Sequence, residues 1–121
     1  MAKILIVDDS PAQVLTLKNL IENWGYEAIS AENGDRALEI ARQEVPDVIL
    51  MDVVMPGMSG FQATRKLSKD LATRNIPVIF VSTKDGEADR IWGMRQGAAA
   101  YVTKPVNPDT LFTAISAAIA V

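Results

Sequence analysis

Apolar and polar positions along the chain alternate between two periods. Short runs rich in β-branched residues occur at Ile4–Val7, Val48–Met51 and Val78–Val81, and weaker runs at Glu27–Ala31 and Ala100–Thr103 mix apolar with polar positions. Between them the apolar spacing lengthens to that of a helix. The first helical stretch places Val14, Leu17, Ile21 and Trp24 on one face, with Pro11 at its start and Gly25 beyond its end. The second comes after Asn33-Gly34, carries Ala37, Leu38 and Ala41, and stops before Pro46. The third presents Phe61, Thr64 and Leu67, and the fourth Ala88, Ile91 and Trp92 before Gly97. The fifth opens with Asn107-Pro108-Asp109 and is expected to bury Leu111, Phe112, Ile115 and Ile119.

This alternation predicts an α/β fold, (βα)5, with a parallel sheet covered on both faces, because each parallel crossover needs a helix. Continuous apolar runs belong to strands buried on both faces and mixed runs to edges. Strands one, three and four are therefore expected in the centre. A doubly wound sheet of order 2-1-3-4-5 satisfies that division, although the pattern alone gives only the split between centre and edge. The chain's 121 residues suit one domain, expected to span 1–121 with no output module after the fifth helix.

The chemistry lies in the residues at the carboxyl end of each strand. The first run ends in Asp8-Asp9, the third in Asp52, the fourth in Ser82-Thr83 and the fifth in Lys104-Pro105. Ligands of open α/β sheets bind outside the carboxyl ends of the strands, where strand order reverses. Here that crevice gathers Asp8, Asp9 and Asp52, with Ser82 and Lys104 approaching from neighbouring strands. A lone Asp after a strand is ordinarily a turn former or helix cap. Three carboxylates, a hydroxyl and a lysine at one sheet edge are a different matter. Two carboxylates about 4–5 Å apart repel by roughly 3–4 kcal/mol at an effective dielectric near 20, so the cluster calls for a cation. Oxygen ligands alone favour a hard one, and a few carboxylates with water and a phosphate oxygen describe Mg²⁺ better than a Ca²⁺ cage.

Composition narrows the chemistry further. The chain has no His and no Cys, which excludes imidazole metal sites, Ser-His-Asp triads, phosphohistidine carriage, thiolate zinc and disulfides. A formal charge of −3 without any basic run argues against nucleic-acid binding. The longest N-terminal apolar stretch, Ile4–Val7, is too short for a signal or a membrane span, so a soluble, cytoplasmic protein is expected. A carboxylate beside Mg²⁺ and a lysine suits phosphoryl transfer onto the carboxylate, with metal and ammonium neutralising the transferring group. Asp52, alone at the end of a central strand and facing the Asp8-Asp9 pair, is the best acceptor.

With these residues in place, the segments ILIVDDS, DVILMDVVMPGMSG, PVIFVST and GAAAYVTKP resemble the receiver domains of two-component response regulators over nearly the whole chain. The resemblance implies a flavodoxin/CheY-like fold and a set of roles. Asp9 ligates Mg²⁺ directly, with Mn²⁺ a possible substitute, and Asp8 supports the metal through water. Asp52 supplies a carboxylate oxygen and receives a phosphoryl group from the histidine of a CheA-like sensor kinase. Val54 offers the metal its backbone carbonyl, and Ser82 and Lys104 contact the phosphoryl group. Tyr101 matches the aromatic that swings inward when the hydroxyl moves toward the phosphate, and the Lys104-Pro105 bond is implied to be cis. Output is expected through the face of the fourth helix, fifth strand and fifth helix, where Trp92 and Met94 are candidates. The unphosphorylated protein is expected to be a monomer that catalyses only its own phosphorylation and slow dephosphorylation.

Three positions depart from the family pattern: Thr83 stands where Ala or Gly is usual, and Val54 and Lys84 lack a carboxylate or amide to position attacking water. Slow self-hydrolysis of the aspartyl phosphate is the expectation. The stretches MPGMSGFQATRKLSKD, STKDGEADRIWGMRQGA and TKPV resemble the single-domain regulators of type IV pilus (twitching) motility, the PilH type, relatives of chemotaxis and phototaxis regulators. Two other chemistries fit part of the pattern. A haloacid-dehalogenase-like phosphohydrolase needs Asp-x-Asp after the first strand, where this chain has adjacent aspartates. A flavin-binding module needs a hydroxyl-rich loop, where this chain has Ser10-Pro11-Ala12-Gln13. Gly57 and Gly60 are read as turn residues, and Met51, Met55 and Met58 as filling around the site.

Overall fold

A computed structural model describes residues 1–120. The elements run β1 (Lys3–Val7), α1 (Pro11–Asn23), β2 (Glu27–Ala31), α2 (Gly34–Glu44), β3 (Val48–Met51), α3 (Gly60–Lys69), β4 (Val78–Ser82), α4 (Glu87–Arg95), β5 (Ala100–Thr103) and α5 (Pro108–Ile119). The five strands form one sheet in the order β2-β1-β3-β4-β5, every neighbouring pair parallel. Fold class and centre-to-edge assignment agree with the sequence pattern. The first and fourth strands are each one residue longer than their apolar runs, reaching Lys3 and Ser82.

Strand periodicity explains the two cores. In the three central strands, Leu5, Val7, Ile49, Met51, Val78 and Phe80 point to one face, where α2 and α3 add Ala37, Ala41, Ala63 and Leu67. The alternate residues Ile4, Ile6, Val48, Leu50, Ile79 and Val81 meet Leu17 and Ile21 of α1 and Leu111 and Ile115 of α5 on the other. Burial of both faces is why these strands are apolar throughout apart from Lys3 at the start of β1 and Ser82 at the end of β4.

The helix starts are locally encoded. Ser10 and Asn33 cap α1 and α2 by accepting from Gln13 and Arg36 amides, and Asn107 caps α5. Ser59 and Gln62 form a reciprocal capping box at α3. Helix α4 differs: Gly86 provides no side-chain cap, and Gly93 is its one buried residue.

Two expected core faces are corrected by the structure. Ala88 is exposed, and Ile91 and Trp92 are each 47% exposed, because β4 and β5 meet α4 with their own rings. Phe80 and Tyr101 press against the helix backbone at Gly93, leaving no room for a side-chain layer. Phe112 is 41% exposed, its ring lying edge-on to Trp24 on the outer rim between α1 and α5.

Gly60 is also not the turn residue expected. Gly57 has the left-handed φ of +76° that a turn requires, whereas Gly60 is the first residue of α3. Its amide bonds the Val53 carbonyl at 2.9 Å, and a Cβ there would fall 2.0 Å from the Asp52 carbonyl oxygen. The helix start therefore rests directly on the backbone of the candidate acceptor. Backbone cannot yield as a side-chain tip can, so Gly60→Ala is expected to cost more than about 2 kcal/mol. Gly86→Ala, which meets only the Asp89 carboxylate, should cost less than about 1 kcal/mol. Urea denaturation of the two variants checks the contrast.

Candidate functional site

The carboxyl ends of β1 and β3 deliver the acidic residues by backbone pairing. The Asp8 amide bonds Ala31 O at 3.2 Å and the Asp52 amide bonds Val7 O at 2.9 Å, so both residues continue the ladder one step past their strands. The strand register sets Val7 opposite Met51, which leaves the next residues side by side. Carboxylate oxygens of Asp8, Asp9 and Asp52 all lie within 4.8 Å of one another. Asp8 and Asp52 are buried, and Asp9 is exposed at the mouth.

One cation enters this hollow. Lys104, whose side chain is 9% exposed, brings Nζ to 2.8 Å from Asp8 Oδ2 and 3.8 Å from Asp52 Oδ2. Its position comes from the β4–β5 ladder, continued by the Lys104 amide donating to Ser82 O at 2.8 Å, and the next peptide bond, to Pro105, is cis. The other Asp8 oxygen accepts the Ser10 amide at 2.9 Å. Three carboxylates and one ammonium leave a formal charge of −2 in a small volume. Burial raises the Asp52 carboxyl above its ordinary range. The Lys104 ammonium opposes this, Asp8 adds to it, the Val53 amide again opposes it and Asp9 adds to it.

The donor set fits a hard dication. It is all oxygen, its net charge matches +2, and exposed Asp9 leaves one side open to the water that Mg²⁺ retains. Asp8, Asp9 and Asp52 are the residues that would hold it. The Val54 side chain faces outward, 55% exposed, two residues after Asp52.

Ser82 and Tyr101 form a second layer. Ser82 is fully buried at the end of β4, and its Oγ accepts the Lys84 amide at 3.1 Å. Tyr101 is buried, and its hydroxyl donates to the Lys84 carbonyl at 2.6 Å. Burial pushes its phenol up from the ordinary tyrosine range, with the Ser82 hydroxyl pulling the other way. The structure thus brings Asp8, Asp9, Asp52 and Lys104 into contact range, and ties Ser82 and Tyr101 to each other's neighbourhood through the main chain of Lys84. Sequence reasoning did not find that role for Lys84, which uses no side chain and so leaves no trace in residue type. It also missed Ser10, whose amide steadies Asp8; its place directly after the aspartate pair was the available signal. A groove of about 760 Å³ lies away from this site at the other end of the sheet, lined by Pro46, Ile76 and Ala118 among others. It holds none of these groups.

The sequence matches the response regulator receiver domain over residues 4–116. It is 56% identical over 120 residues to Protein PilH of Pseudomonas aeruginosa, covering 99% of each chain. Response regulator PleD of Caulobacter vibrioides is 44% identical over 114 residues, 94% of this chain but 25% of PleD. Among solved structures, the Vibrio cholerae chemotaxis protein CheY4 superposes with a TM-score of 0.91 at 31% identity, covering 98% of both chains. The Francisella response regulator 1452 receiver domain gives 0.92 at 29% identity, covering 99% of this chain and 98% of that one.

The raised Asp52 carboxyl has a stability consequence. Its charged form is the costly one in the folded chain. That penalty is absent below the unfolded carboxylate range, grows as pH rises toward the raised folded value, and is complete above it. Without divalent cation at neutral pH, Asp52→Asn should therefore be more stable than the parent by roughly 1–3 kcal/mol, one carboxylate repulsion partly offset by the lost attraction to Lys104. The gain should vanish below about pH 3.9, and Mg²⁺ should stabilise the parent more than the variant. Urea denaturation in chelator and in Mg²⁺ checks both signs.

Proposed function

The chain belongs to the response regulator receiver family, and from that membership we propose that it is a stand-alone response regulator phosphorylated on Asp52 by a sensor histidine kinase of the CheA-like kind. The observation that carries the reading is the hollow itself: a buried carboxylate 3.8 Å from a buried lysine and within 4.8 Å of two more carboxylates. A plain ion pair needs one acid for one base. Three acids around one ammonium make a site that is complete only with a further dication.

In the proposed reaction, an Asp52 carboxylate oxygen forms the new P–O bond as the P–N bond of the donor histidine breaks, and the released imidazole takes a proton from solvent. Asp8, Asp9 and Asp52 would hold Mg²⁺, or Mn²⁺ in its place, and the ion when bound would supply charge neutralisation on the phosphoryl oxygens. Lys104 turns its ammonium from Asp8 toward the same oxygens. Ser82 releases the Lys84 amide and donates its hydroxyl to a phosphoryl oxygen. Val54 contributes its backbone carbonyl to the metal. The protein modifies itself once per donor and is not a turnover enzyme.

Near-coextensive identity with PilH supports a place in type IV pilus motility or a related chemotaxis or phototaxis circuit, in the cytoplasm. The signal leaves by altered protein contacts on the face of α4, β5 and α5, where Ile91, Trp92 and Met94 are about half exposed. The unphosphorylated chain works as a monomer and uses neither nucleic acid nor membrane.

Acetyl phosphate with Mg²⁺ should add one phosphoryl mass to the intact chain, and none to Asp52→Asn or to the parent in chelator. Sustained turnover of a phosphate monoester would point to a phosphohydrolase instead. Because Val54 and Thr83 flank the acceptor without a group that positions water, the acyl phosphate should outlast the seconds timescale. Val54→Asn should shorten its lifetime, read by mass spectrometry after donor removal.

A further inference from the structure

Helix α3 carries a row of cations that the chain itself leaves unanswered. Arg65, Lys66 and Lys69 are exposed and, with Gln62, Gly57 and Met58, line a groove of about 470 Å³. Lys3, Arg36, Arg42 and Lys104 each lie within ion-pair distance of a carboxylate, whereas among the described residues none of these three does. Lys66 and Lys69 stand in the last turn of α3, where cations meet the helix dipole. That accounts for two lysines on a solvated helix, but not for the placement of Arg65. Its Nε donates to Gln96 Oε1 at 3.1 Å, and Gln96 Nε2 in turn donates to the Trp92 carbonyl at 3.2 Å. The guanidinium is thus tied by its inner nitrogen, with its Nη end left to recognise a carboxylate.

Gly57 and Met58 also line a second groove, of about 420 Å³, which holds Asp9, Glu32 and Asp35. Met58 is half-buried over the start of α2, where a Cβ on Gly34 would fall 3.0 Å from its sulphur. A basic and an acidic groove therefore meet at one apolar side chain. A nucleic-acid strand running along α3 toward Met58 would carry its phosphates on into three carboxylates, and the chain's formal charge of −3 would oppose it. A short acidic segment of a protein can stop at Met58. Arg65 and Lys69 stand one step of about 6 Å apart along the helix axis. Alternate side chains of an extended segment repeat at about 6–7 Å, nearly the same spacing.

We propose that the α3 groove binds an extended acidic segment of a partner protein. Carboxylates at alternate positions meet Arg65 and Lys69, Lys66 adds to their field, and an apolar residue rests on Met58. The surface differs from the face of α4, β5 and α5 and uses no group of the acidic cluster, so it holds whether or not Asp52 is modified.

The test is an NMR titration of the isotope-labelled full chain, at low salt, with a blocked peptide of alternating Glu and Ser ending in Leu. The backbone amides of residues 62–69 and the side-chain amide of Gln96 should shift. Affinity should fall as salt rises toward about 0.15 M, where the Debye length is about 8 Å. Arg65→Ala and Lys69→Ala should each weaken binding about two- to fivefold, the range of exposed ion pairs. Arg65→Glu with Lys69→Glu should abolish it. Lys18→Glu with Arg74→Glu, the same change in net charge at exposed positions outside the groove, should retain it. If the first Glu pair does not fold, the two Ala variants decide. Unmoved α3 signals, equal loss in both charge-reversed pairs, or tighter binding of an oligothymidylate of the same charge would overturn the proposal. Shifts of the same signals with protein concentration alone would assign the groove to a second copy of the chain, and overturn it too.

Discussion

Among the described residues, Lys104 alone brings a cation to the acidic cluster, touching Asp8 at 2.8 Å and reaching Asp52 at 3.8 Å. Much of the surrounding architecture serves to hold that unbalanced charge in place. Asp8 is fixed from both sides, by its own amide on Ala31 and by the Ser10 amide on its carboxylate. Asp52 is fixed by the Val7 carbonyl behind it and by α3, whose first residue lies against the Asp52 backbone. Left alone, the trio would relax by spreading apart or by taking up a proton. The rigid ladder prevents the first, and the Asp52 carboxyl, raised chiefly by burial with Asp8 and Asp9 adding to it, records the tendency toward the second.

A parallel sheet achieves this placement with little freedom. Neighbouring strands are locked in register over three to five residues, so the residue after each strand is positioned by the same hydrogen bonds that hold the core. The side chains that carry the chemistry therefore sit on rigid elements. The connections bearing Val54, Thr83 and Lys84 are free to vary around them.

Stability is spread unevenly around this frame. Helices α1, α2, α3 and α5 carry side-chain caps and buried apolar faces, whereas α4 has no cap and rests on the sheet at one glycine. Its outer side presents Ile91, Trp92 and Met94 to solvent. A helix anchored so lightly can accommodate a partner at low cost. Its one buried residue, Gly93, is also the point where the buried aromatic of β5 meets it.

The sequence by itself determined the strands, the helices, the central and edge positions, and the identity of the acidic cluster. All of these arise from local periodicity and from the residue that ends each strand, and neither depends on distant parts of the chain. It misjudged α4 and Phe112 because helical spacing records an apolar face without recording whether another layer exists to cover it. The distances that make the cluster a site, the capture of Lys104 by Asp8, and the inward Tyr101 were decided only in the tertiary structure. So were the roles of Gly60, Gly93 and the Lys84 main chain. Those features consist of absent side chains and backbone groups, and such groups acquire meaning only when folding brings something against them.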